Sequence, residues 1–100
     1  MDAAEAEDLC GRLAELASKG PCKDAQALVQ AHTILRKITQ APQATAYLRE
    51  RATDVDRALS GWFDAEEKHH ALLKGYSNDI YTLIDQLHSA LREALRFNKR

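Results

Sequence analysis

Apolar residues recur along this chain at steps of three and four, the spacing that returns to one face of a helix with 3.6 residues per turn. The first stripe is Ala6, Leu9, Leu13 and Leu16, in a helix expected over about residues 3–19. The second, over about 23–40, runs through Leu28, Leu35 and Ile38, is widened by Val29 and Ile34, and has His32 beside it. The third is the longest. Leu48, Ala52, Val55, Leu59, Trp62, Glu66, His69 and Leu73 alternate steps of four and three, the heptad spacing of a coiled-coil seam. The last stripe is Ile80, Ile84, Leu87, Leu91 and Leu95, beginning after "SND" at 77–79, where Ser77, Asn78 or Asp79 can cap free backbone donors.

Gly and Pro punctuate the pattern. Gly20-Pro21 ends the first helix, because glycine accepts a left-handed backbone and proline cannot continue the ladder. Pro42 pushes Ala41 out of helical geometry and suits the opening of the third helix. Between these marks lie strong helix formers, and no run alternates β-branched with polar residues. The expected fold is all-α: a single domain over 1–100, built as an antiparallel bundle of about four helices with a long third helix. Gly61 inside a helix costs only about 1 kcal/mol relative to alanine, so the third helix is read as continuous over 42–74 rather than broken at Ser60-Gly61.

That length carries the functional expectation. A rod from 42 to 74 spans about 50 Å, against roughly 25 Å for each of the first two helices and about 30 Å for the last. Its distal half, paired with the last helix, would display Leu59, Trp62, Phe63, Leu73, Tyr81, Ile84, Leu87 and Leu91, flanked by Leu72, Tyr76 and Leu83. Two helices cannot bury such a set between themselves, so another chain should cover it. The function expected is a non-enzymatic protein–protein interaction module, an adaptor, regulatory subunit or chaperone-like domain. Its partner would be a second copy, as a homodimer, or another helical protein.

Composition narrows the alternatives. Hydrophobic residues make up 45% and charged residues 29%, a globular balance. Fourteen Lys and Arg against fifteen Asp and Glu leave a net charge of −1, with no general attraction to nucleic acid or anionic membrane. No apolar run reaches a membrane span, and the acidic start "MDAAEAED" is unlike a secretory signal, so a cytoplasmic location is expected. Cys10 falls mid-helix and Cys22 beyond the next turn, which reads as two free thiols.

Candidate chemistry concentrates in "DAEEKHHALLKG" at 64–75. Glu66 and His69 have the Glu-x-x-His spacing of di-iron bundles, and Asp85 and His88 repeat a similar one. Such centres need further inward carboxylates, and the first two helices offer only Glu15 and Asp24, neither mid-stripe. No metal or other cofactor is expected. Glycine-rich phosphate loops, Cys-x-x-Cys pairs, nucleophile elbows and basic stripes with aromatics are missing from the sequence, so no enzyme is expected either.

The segment "HHALLKG" resembles the signature of histidine-containing phosphotransfer domains, helical bundles in which an exposed histidine is followed by x-Leu-Lys-Gly. Leu73, Lys74 and Gly75 match its end; Ala71 stands where the family has its histidine, and Ile80 where a small residue follows. His70 lies one residue early, about 100° round a helix. As an alternative function, the resemblance implies a phosphorelay in which His70 accepts phosphate and Lys74 steadies its charge. Without that resemblance, Lys74-Gly75 is a cation and a glycine closing a helix.

Overall fold

A computed structural model describes residues 1–66, 68, 70–74 and 77–97. Every regular element among them is helical: α1 (Ala3–Ala17), α2 (Ala25–Thr39), α3 (Ala46–Phe63), the short α4 (His70–Lys74) and α5 (Ser77–Phe97). The four long helices form a closed set of neighbours, with α1 and α3 each packed against α2 and α5. The molecule is 22 and 21 Å across its two short directions, about two helix diameters each way.

Short polar side chains start the first three helices as expected of N-caps. Asp2 accepts from the Glu5 N–H at 2.8 Å, Asp24 from the Ala27 N–H at 3.0 Å, and Thr45 from the Leu48 N–H at 3.1 Å. Thr45, rather than Pro42, therefore opens α3. After α1 the chain turns through Gly20 at φ 80°, a left-handed conformation that costs an L side chain energy and glycine almost none. The stripes of α1 and α5 are buried as their spacing requires. In α2, Ala27 and Ala31 take inward positions along with Ile34, Leu35 and Ile38.

The continuous helix over 42–74 is not what the chain forms. Gly61 is helical, and α3 runs past it to end at Phe63, with Asp64 donating back to the Ser60 carbonyl at 3.1 Å. The reason is tertiary. If the helix continued, the carbonyls of Trp62 and Phe63 would accept from residues 66 and 67. Instead the N–H of Cys22 donates to Trp62 O at 3.1 Å and that of Asp24 to Phe63 O at 2.9 Å. The connection between α1 and α2 thus closes the end of α3. Trp62 adds a third tie, its indole Nε1 donating to the Ala17 carbonyl at 2.9 Å.

Candidate functional site

Six of the eight residues expected at an interface with another chain lie inside this one. Leu59, Leu87 and Leu91 are wholly inaccessible, and Trp62, Phe63 and Ile84 are nearly so. α3 stops at Phe63, and α5 packs against its seam from within the chain. These six are core side chains, a correction to the expected exposed apolar face. Leu73 is half-buried against the same core, and Tyr81, 38% exposed, is the most accessible of the eight.

Polar candidates are scattered. Glu66 is exposed and paired with Lys23 at 3.3 Å. Asp24 is occupied as the α2 cap. No group of three or more His, Cys, Asp or Glu side chains close enough to hold a metal ion occurs among the described residues; His69 lies outside them. His70 begins the five-residue α4, half-buried, with its Nε2 at 3.3 Å from the Ala65 carbonyl. Gly75 and the side chains of Ala71 and Lys74 lie outside the described residues, as do Tyr76 and the side chain of Phe97.

Folding brings together one cluster that the stripes did not announce. His32 of α2 places Nε2 at 2.8 Å from Asp56 Oδ1 and 3.4 Å from Ser60 Oγ on α3. The Asp56 approach is not an aligned hydrogen bond, since Asp56 Oδ1 lacks a hydrogen-bond partner of good geometry. Both groups meet the same ring nitrogen. In a nucleophilic triad serine and carboxylate occupy opposite nitrogens, so that one orients the base for the other. The cluster is a half-exposed link between two helices.

Cys10 is buried in α1, and Cys22 is half-buried with Sγ 3.7 Å from the Lys19 carbonyl. Burial first, and then the charge of Asp85, push the Cys10 thiol up to about 11 from its ordinary 9.0. A thiol held in its protonated form is a poor nucleophile, so Cys10 serves packing.

A concavity lies elsewhere. A groove of about 500 Å³ opens between α1 and α2, bordered by Leu9, Leu16, Val29 and Ile34 among its apolar residues. Val29 stands 63% exposed on its edge. Counted along the helix it is about 160° round from the inward Ala31, so the buried stripe of α2 is narrower than one that includes Val29. The signal in the sequence was the pair Ala27 and Ala31: with Ile34 and Ile38 they mark a narrower inward stripe on which Val29 has no place.

No family model, curated protein or solved structure matches the chain. No helix among the described residues is long and apolar enough to cross a membrane.

Proposed function

We propose that this chain is a non-enzymatic interaction module: an antiparallel helical bundle, acting in the cytoplasm, whose α1–α2 groove receives part of a protein partner. The observation that carries the reading is the groove itself, with Val29 exposed on its edge at 63%. A branched aliphatic side chain so placed gains about 1 to 2 kcal/mol when a partner removes it from water. The earlier seam plays no part, because its residues are spent on the chain's own core. The phosphotransfer resemblance draws no support from an imidazole half-buried and close to a backbone carbonyl.

Site-directed photo-crosslinking in cells tests the module. A benzophenone side chain at Val29 should yield one discrete protein adduct, diminished by Lys37→Glu farther along α2 on the groove's border. The same group at Arg57, exposed on α3, should not yield it. Indistinguishable adducts from the two positions would overturn the reading.

A further inference from the structure

Resting on that reading, we infer that the occupant of the α1–α2 groove is an acidic amphipathic helix. Four ionisable side chains border the groove, and three are cations: Arg12, Lys19 and Lys37, against Glu15 alone. Arg12 is partly engaged by Asp8 at 3.1 Å, through an exposed pair of neighbouring turns. Lys19 and Lys37 carry no ion pair of that kind within the described residues. In a chain of net charge −1, this rim is a local positive field.

Shape selects the conformation of the occupant. Along α1 the groove extends from Leu9 to Leu16, about 10 Å at 1.5 Å per residue or about two helical turns, with Lys19 in the turn just beyond the helix. Its floor is apolar at Leu9, Leu16 and Ile34, its edge at Val29, and Gln30 and Thr33 supply uncharged polar contacts. A helix laid in such a groove inserts residues at i, i+4 and i+7 while its flanks meet the rim. Carboxylates on those flanks would face Lys19, Lys37 and Arg12, whereas lysines would be repelled.

The probe is a fluorescein-labelled helical peptide of about 12 residues, with leucines at i, i+4 and i+7 and glutamates on both flanks, against a twin carrying lysines instead. Fluorescence polarisation with the full chain should show the acidic peptide binding about tenfold tighter at about 0.05 M salt, the gap narrowing at about 0.5 M. Lys19→Glu with Lys37→Glu should reverse the preference. Val29→Ser, which removes methyl groups without adding charge, should weaken the acidic peptide severalfold, and circular dichroism checks that each variant stays folded. Equal binding of the twins, no saturable binding of the acidic peptide, or indifference to Val29→Ser overturns the inference. So does a dimer by light scattering that Val29→Ser splits, which would assign the groove to a second copy. If the crosslink at Val29 persists while the peptides fail to discriminate, this inference falls and the module remains.

Discussion

Cys10 shows how one side chain's setting decides its chemistry. Its thiol is enclosed by the α1 stripe and held up to about 11, while in the unfolded chain it ionises near 9.0. The folded state therefore binds this proton more tightly, and its contribution to stability is whole below pH 9 and shrinks as pH rises toward 11. Urea titrations between those limits should show the native chain losing up to about 2 to 3 kcal/mol more than a Cys10→Ala variant. At neutral pH a thiol reagent should label Cys22 in the folded protein and reach Cys10 only on unfolding. A Cys10 labelled as fast as Cys22 would contradict the burial. That Cys10 sits mid-helix was legible in its spacing from the Leu9–Leu13 stripe; that Asp85, 75 positions later, bears on it was not.

At the scale of the element, helix starts were written locally and one helix end was not. Asp2, Asp24 and Thr45 cap through their own side chains, three residues from their targets, so the choice needs no distant information. The end of α3 depends on donors from Cys22 and Asp24, some forty residues earlier. Gly61, the suspected break, is ordinary helix. A Cβ there would meet nothing within 4 Å, so Gly61→Ala should stabilise the chain by about 0.5 to 1 kcal/mol. Thermal or denaturant unfolding measures this. A destabilised variant would mean that the backbone at 61 is not helical.

For the whole molecule, the question is what covers the apolar stripes. Leu59 and Leu87 are inaccessible within the chain. Leu59→Ala should cost about 2 to 5 kcal/mol in stability through lost burial and the cavity left behind. It should leave the oligomeric state read by light scattering unchanged. Val29→Glu should alter stability by about 0.5 kcal/mol or less, because the side chain already faces water, while weakening the acidic peptide. A Leu59→Ala chain as stable as its parent but altered in association would restore the seam as an interface.

The sequence by itself determined that this chain is helical, where most of its helices start, and which side chains of α1, α3 and α5 are withdrawn from water. Periodicity and capping are properties of residues a few positions apart, so they survive in one dimension. Only the tertiary structure decided where α3 ends and who shields its seam. A stripe states that a face will be covered and says nothing of which chain covers it; that depended on a loop at 22–24 reaching two carbonyls and on α5 packing against α3. The α1–α2 groove belongs to the same category, since a cleft is the space left between two helices and neither helix encodes it alone.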